Sequence, residues 1–198
     1  MRRNPVSPEL RAWIEDVVDD NADDILRYLR RRVNQSEDAA DLLGRVLLAL
    51  WENSARMPTT AQEARMWCFG IARNIVREHY RNAAKRLAIA DGLRDHLRSS
   101  AQQDNAADTT AETRMRAEKV RQALTFLDER SRELVMLVHW DGFSIAEAAR
   151  ILSINQSTAR TLHGRALQRL EKHLDDRPLP SGARRKHTQP GFTTGSNR

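Results

Sequence analysis

Apolar positions recur at three- and four-residue spacing along most of this chain, the period of an amphipathic helix. Leu10, Trp13, Ile14 and Val17 mark one helix over 9–18, and Ile25, Leu26, Leu29 and Val33 another over 23–33, with a join expected near Asn21. A third helix is expected to be capped by Ser36 and to run to about residue 51, burying Leu42, Leu43, Val46, Leu47 and Leu50. Residues 53–60, which contain Pro58, read as a loop. A long helix follows over about 61–87, with Trp67, Phe69, Ile71, Ile75 and Val76 as its core positions.

Between 91 and 113 apolar content falls away in favour of Ser, Gln, Asp, Asn and Thr, the composition of a linker. Periodicity resumes over 111–127 with Met115, Val120, Leu124 and Leu127, and continues with Leu134, Val135, Leu137 and Val138. Asp141 and Gly142 break it. Ser144 then stands where an N-cap should, and Glu147 three residues later completes a capping box. Ile145, Ala148, Ala149 and Leu152 face inward, Ser153 to Asn155 form a short turn with Ile154 as an apolar plug, and Asn155 is placed to cap the last helix. In that helix Ala159, Leu162, Ala166 and Leu170 form the inner stripe. Two helices joined by a short turn, with a small residue such as Ala149 near their crossing, have the geometry of a helix-turn-helix. The fold class expected is therefore all-α: two small helical domains joined by a flexible linker, the second containing a helix-turn-helix.

Charge adds a direction to this outline. The 198 residues carry a formal net charge of +6, which favours a polyanionic partner, but the charge is uneven. Acids crowd 15–24 and 37–41, while basic residues dominate 65–86 and 160–172. Glu37, Asp38 and Asp41 suit a helix N-terminus through its dipole, and they equally suit a protein partner. Arg73, Arg77 and Arg81 stand at four-residue intervals with Lys85 next in register, and like charges so spaced repel. Either phosphates compensate them or Glu78 and other acids screen them. On the last helix, Gln156, Ser157, Arg160, Thr161 and Arg165 make a basic, short-chained face able to enter a major groove and bond base edges; an ordinary solvated face is the plainer alternative.

Aromatic residues are only 5% of the chain, so its cores must be built from Leu, Ile, Val and Ala. One cysteine, Cys68, rules out an intrachain disulfide, and the N-terminus has no apolar stretch of a secretory signal, so a cytoplasmic protein without membrane insertion is expected. No phosphate-cradling glycine loop, HExxH pair or Cys/His cluster is present. The expectation is a non-enzyme without cofactor or metal.

Taken in order, LRYLRRRV (26–33), DAADLLGRVLLALW (38–51), WCFGIARNIVR (67–77), LDERSRELVML (127–137), DGFSIAEAARIL (141–152) and STARTLHGRALQRL (157–170) resemble the extracytoplasmic-function sigma factors, the small two-domain branch of the bacterial sigma-70 family. The resemblance spans roughly 10–174 apart from the linker. It implies a first domain over 1–90 that binds core RNA polymerase and the minus-ten promoter element, a linker over 91–112 and a second domain over 113–175 that reads the minus-thirty-five element; the Pro-, Gly- and Thr-containing composition of 176–198 reads as a disordered tail. Carried over by position, Asp38, Asp41, Leu42, Arg45 and Val46 would dock on polymerase. Residues 53–60 would hold a flipped base, and Arg73, Asn74, Arg77 and Arg81 would approach the minus-ten region. Gln156, Ser157, Thr158, Arg160, Thr161 and Arg165 would lie at the minus-thirty-five major groove.

The implied partners are core RNA polymerase, promoter DNA and an anti-sigma protein. Gly44, Arg45 and Leu47 stand where the family usually has Gln, an acid and Phe; Ser153 replaces a turn glycine; and Leu162, His163 and Gly164 replace Arg, Leu and His. Two other readings fit parts of the pattern: a stand-alone helix-turn-helix regulator that binds operator DNA as a dimer, and a sigma-like protein that has lost initiation.

Overall fold

The computed structural model describes residues 7–33, 35–91 and 111–175, so most of the expected linker and all of the expected tail lie outside the described residues. Seven α-helices account for nearly all of what is described. The first, α1 (Pro8–Arg30), is one unbroken helix rather than the expected two. Ser7 caps it by accepting from the Leu10 amide at 3.2 Å, and Pro8 sits in the first turn, where its missing N–H costs nothing. Asn21 does not break it. Its side chain is buried, and its amide nitrogen donates to the Val17 carbonyl at 2.8 Å, so the helix satisfies the polar group that was expected to interrupt it.

Helix α2 (Ser36–Glu52) begins at Ser36, with Gln35 in the cap position and no side-chain cap bond; Ser36 is thus the first helical residue and not its cap. A short 3₁₀ turn (Ser54–Arg56) leads to α3 (Ala61–Asp91), 31 residues long. Trp13 Nε1 donates to the Pro58 carbonyl at 3.1 Å and ties the intervening loop back to α1. Ile14, Val17, Ile25, Tyr28 and Leu29 of α1 bury against Leu42, Val46 and Leu50 of α2 and Cys68, Phe69 and Ala72 of α3. This three-helix core leaves the Cys68 thiol buried, which pushes its pKa up to about 12 and makes it inert.

The second domain holds α4 (Ala111–Thr125), α5 (Glu129–His139), α6 (Ile145–Ile151) and α7 (Gln156–Asp175). Asp128 caps α5 by accepting from the Ser131 amide at 3.0 Å, and hydrogen bonding to the Ser131 side chain, then to its backbone, lowers the Asp128 carboxyl pKa. Arg132 donates to the carbonyls of Leu124 and Leu127 at 2.9 and 3.0 Å and so closes the open end of α4. Leu124, Leu127, Val135, Met136 and Ala166 form a small core where α4, α5 and α7 meet, whereas Met115 is exposed and not the core residue its period suggested.

The two domains lie against each other. Leu134, Leu137, Phe143, Ala148, Ala149 and Ile151 belong to the same apolar cluster as Tyr28, Phe69 and Ala72. Phe143 fits edge-on against Phe69, ring centres 4.8 Å apart, and Phe69 meets Tyr28 the same way at 5.3 Å.

Candidate nucleic-acid interface

The helix-turn-helix is built as its sequence requires. Ser144 Oγ accepts from the Glu147 amide while Glu147 accepts from the Ser144 amide at 2.8 Å, the reciprocal pair of a capping box. Hydrogen bonds from Gln62 and from Ser144 hold the Glu147 carboxyl below the usual glutamate range. At the other end of α6 the chain reverses through Ser153, whose φ of 54° is left-handed. Its amide bonds the Arg150 carbonyl at 3.0 Å, and the Ile154 amide bonds the Ala149 carbonyl at 2.9 Å. Those two bonds define a Schellman ending in which a serine occupies the seat that usually takes glycine. The Asn155 carbonyl then accepts from the Ala159 amide at 2.9 Å as α7 begins.

Turned out by this geometry, α7 presents Gln156, Ser157, Thr158, Arg160, Thr161 and Arg165, all exposed, while Ala159 and Ala166 are buried beneath them. Among the described residues Arg160 and Arg165 have no ion-pair partner, and Glu147 and Asp141 make their bonds elsewhere. His163 lies half-buried on the inner edge, its Nε2 3.0 Å from Nε2 of His139 on α5, with the two rings stacked. Burial, and then the neighbouring His139, lower the His163 pKa. The period of either helix alone gives no hint of this pair.

On α3, Asn74, Arg77, Arg81 and Lys85 are exposed and Arg73 is half-buried. Among the described residues none of the four cations has an ion-pair partner. Glu78, the acid best placed to screen them, instead pairs with Arg45 of α2 at 3.1 Å. The row is a stripe of free positive charge.

On α2 the expected docking residues separate into two groups. Asp41 and Arg45 are exposed and Asp38 is half-buried, with His79 Nε2 4.0 Å from its carboxylate. Leu42 and Val46 are instead buried in the three-helix core, 2% and 0% exposed, so they cannot present a surface to a partner. Sequence reasoning missed an exposed apolar pair on the same helix, Leu48 and Trp51, 58% and 40% exposed, with the Arg11 guanidinium 6.0 Å from the Trp51 ring. The signal was available: α2 has more large apolar residues than one buried stripe accommodates.

Among the described residues no group of three or more His, Cys, Asp or Glu could hold a metal ion, and no helix is long and apolar enough to cross a membrane. Two sigma-70 family models match the chain: region 2 over residues 17–86, from within α1 to near the end of α3, and region 4 over 117–170, from within α4 through most of α7. The chain belongs to the sigma-70 family. Among curated relatives, this sigma factor is 27% identical over 158 residues to the ECF RNA polymerase sigma factor BldN of Streptomyces coelicolor, a match covering 80% of this chain and 59% of BldN. It is 26% identical over 165 residues to the ECF sigma factor SigL of Mycobacterium tuberculosis, covering 83% and 90%. It is 29% identical over 147 residues to the ECF sigma factor SigF of Caulobacter vibrioides, covering 74% and 76%. The chain thus spans somewhat under two thirds of BldN but most of SigL. No catalytic family is indicated.

Solved structures share the fold. The sigma factor RpoE of Bartonella quintana, in complex with the anti-sigma factor NepR, overlays with a TM-score of 0.61 at 20% identity, covering 85% of this chain and 98% of that one. CnrH, in complex with the cytosolic domain of CnrY, overlays with a TM-score of 0.58 at 22% identity, covering 84% and 90%.

Proposed function

We propose that this sigma factor binds core RNA polymerase and directs it to promoters, adding no covalent chemistry of its own and needing no cofactor. The observation that carries the reading is the pairing of two unsatisfied cationic helix faces, on α7 and on α3, with a separate acidic-apolar surface on α2. Two nucleic-acid faces on separate domains suit one promoter contacted at two places, and the third surface suits a protein.

In this reading Gln156, Ser157, Thr158, Arg160, Thr161 and Arg165 enter the major groove at the minus-thirty-five element, where the short side chains permit close approach and Arg bonds base edges. Arg73, Asn74, Arg77 and Arg81 follow the phosphates near the minus-ten element, and the exposed residues of the 53–60 loop receive an unstacked base. Asp38, Asp41 and Arg45, joined by Leu48 and Trp51, dock on polymerase. The functional boundaries fall at 1–90 for the first domain, 91–112 for the linker, 113–175 for the second and 176–198 for the tail. The protein works in the cytoplasm, where polymerase is, and an anti-sigma protein is a further partner, as it is for RpoE of Bartonella quintana.

Co-purification with core polymerase at low salt, followed by run-off transcription from a cognate promoter, tests the reading. Absence of association would refute it.

A further inference from the structure

Two histidines that neither the promoter-facing nor the polymerase-facing surfaces use meet inside the second domain. His139 is the last residue of α5 and is exposed; His163 lies about two turns into α7 and is half-buried. Their Nε2 atoms stand 3.0 Å apart, across 24 residues of chain that include all of α6. Among the described residues neither imidazole has another hydrogen-bond partner. Nδ1 of His163 is open to water.

An imidazole pair set this way can do more than bond to itself. With both rings neutral, one Nε2–H donates to the other Nε2, so the two rings are different tautomers. A cation needs both Nε2 lone pairs. The donor ring supplies its own by carrying the proton on Nδ1 instead, where water receives it as a hydrogen-bond donor, and a neutral pair releases no net proton. A first-row divalent ion binds imidazole nitrogen at about 2.0–2.1 Å, and two such bonds at roughly right to tetrahedral angles hold their nitrogens about 2.9–3.4 Å apart. The separation found here lies inside that span.

We propose that His139 and His163 chelate one first-row divalent transition ion, of the Zn²⁺ or Cu²⁺ kind, with waters completing its coordination, and that the ion staples α7 to α5. Purely nitrogen donors select against Mg²⁺ and Ca²⁺, which take oxygen ligands. Among the described residues no third His, Cys, Asp or Glu is grouped with the pair, so the ion exchanges with solvent, unlike one closed in by four protein ligands. The helix-turn-helix folds without it, on the capping box, the Ser153 reversal and the core around Ala166. What the ion adds is a cross-link that closes the segment carrying α6 and both its turns, so its binding energy opposes separation of α7 from the helix that supports it. The site does not depend on the sigma reading.

The test titrates the full chain at neutral pH with Zn²⁺, Cu²⁺ or Mg²⁺ alone, reading stoichiometry by calorimetry and stability by thermal melts. It compares wild type with His139→Gln, His163→Gln and His79→Gln. His139 is exposed, so its replacement loses no packing, and His79, 4.0 Å from the Asp38 carboxylate, is the competing pair of ligands. Wild type and His79→Gln should each bind one ion more than the other two variants, Cu²⁺ more tightly than Zn²⁺. Both should melt several degrees higher at about a hundredfold excess of Zn²⁺ over its dissociation constant, a rise that His139→Gln and His163→Gln lose and Mg²⁺ does not produce. The imidazole resonances of His139 and His163 should shift together as Zn²⁺ is added. No Zn²⁺ uptake by wild type, uptake and stabilisation that survive in both His139→Gln and His163→Gln, loss confined to His79→Gln, or an equal effect of Mg²⁺ would each overturn the proposal.

Discussion

Replacing Arg77 and Arg81 together by alanine should move stability and DNA binding in opposite directions. Arg73, Arg77, Arg81 and Lys85 form three consecutive like-charge pairs at four-residue spacing, and none has an ion-pair partner among the described residues. Each such pair costs about 0.2–0.5 kcal/mol. Both substitutions lie at exposed positions, so no packing is lost, and alanine is the better helix former. The double variant removes all three repulsions and gains about 1 kcal/mol in low salt, a rise in melting temperature of several degrees for a domain this size. Nucleic-acid binding should fall. Each lost phosphate contact reduces the slope of log affinity against log salt by about 0.7 on single strands and 0.9 on duplex. For two contacts, wild-type affinity should then drop roughly 7- to 12-fold more than the variant's between 50 and 200 mM salt. Melting curves and fluorescence anisotropy of holoenzyme on promoter DNA, across a salt series, read both quantities. A variant that melts lower, or that keeps the wild-type salt slope, would refute the assignment of the row to phosphates.

Arg160→Ala should leave stability unchanged, since Arg160 is exposed and has no ion-pair partner among the described residues, and weaken cognate promoter use by about 1–3 kcal/mol if it bonds a base; an equal loss on all sequences would make it a phosphate contact instead. Gly44→Ala should stabilise α2 by up to about 1 kcal/mol, because an added Cβ would meet nothing within 4 Å; a lower melting temperature would contradict this. Ser153→Gly should also stabilise, by about 0.5–1 kcal/mol, as relief of the left-handed backbone outweighs the entropy added to the unfolded chain; thermal melts decide the sign. His163 has a lower pKa folded than unfolded, so the native state binds fewer protons on acidification. Its contribution is complete above the ordinary histidine pKa of about 6.5 and is lost as pH falls through the depressed folded value. His163→Gln should flatten that part of the stability profile in melts from pH 7.5 to 5.

Most of the helices were legible because each buries its own face, and burial leaves a 3.6-residue period. The misreadings arose where a residue is satisfied by something periodicity does not report. Asn21 looks like a break until its amide is seen bonding one turn back. Leu42 and Val46 were both core positions by period and docking residues by resemblance, and a side chain fully buried in the three-helix core cannot serve both. Glu78 was a candidate screen for the arginine row but spends its charge on Arg45 across the groove between α2 and α3. The helix-turn-helix was read almost residue for residue, since the Ser144–Glu147 box and the Ser153 reversal are local devices. The contact between domains left no comparable trace. Asp141 registers in the sequence only as an interruption, because its partners Arg31 and Arg32 lie 110 and 109 residues away.

The chemistry of that contact argues that it is made to open. A permanent interface would be mainly apolar, whereas contacts between domains of one chain are more polar and behave as transient ones. Here Phe143 and its aromatic neighbours supply the apolar part, while ion pairs set the register. Buried ion pairs add little net stability over apolar replacements, but breaking one side is costly, so such a contact resists partial slippage more than complete separation into water. Separation also changes the electrostatics. Arg31, Arg32 and Arg65, neutralised by Asp141, Glu133 and Asp24 when closed, would lose the first two of these acids, and the first domain would gain uncompensated positive charge. A polyanion would favour that state through its field. The cations involved are Arg31, Arg32 and Arg65 and not the α3 and α7 residues assigned to DNA, so the gain lies in the long-range field and adds no contact to those two faces.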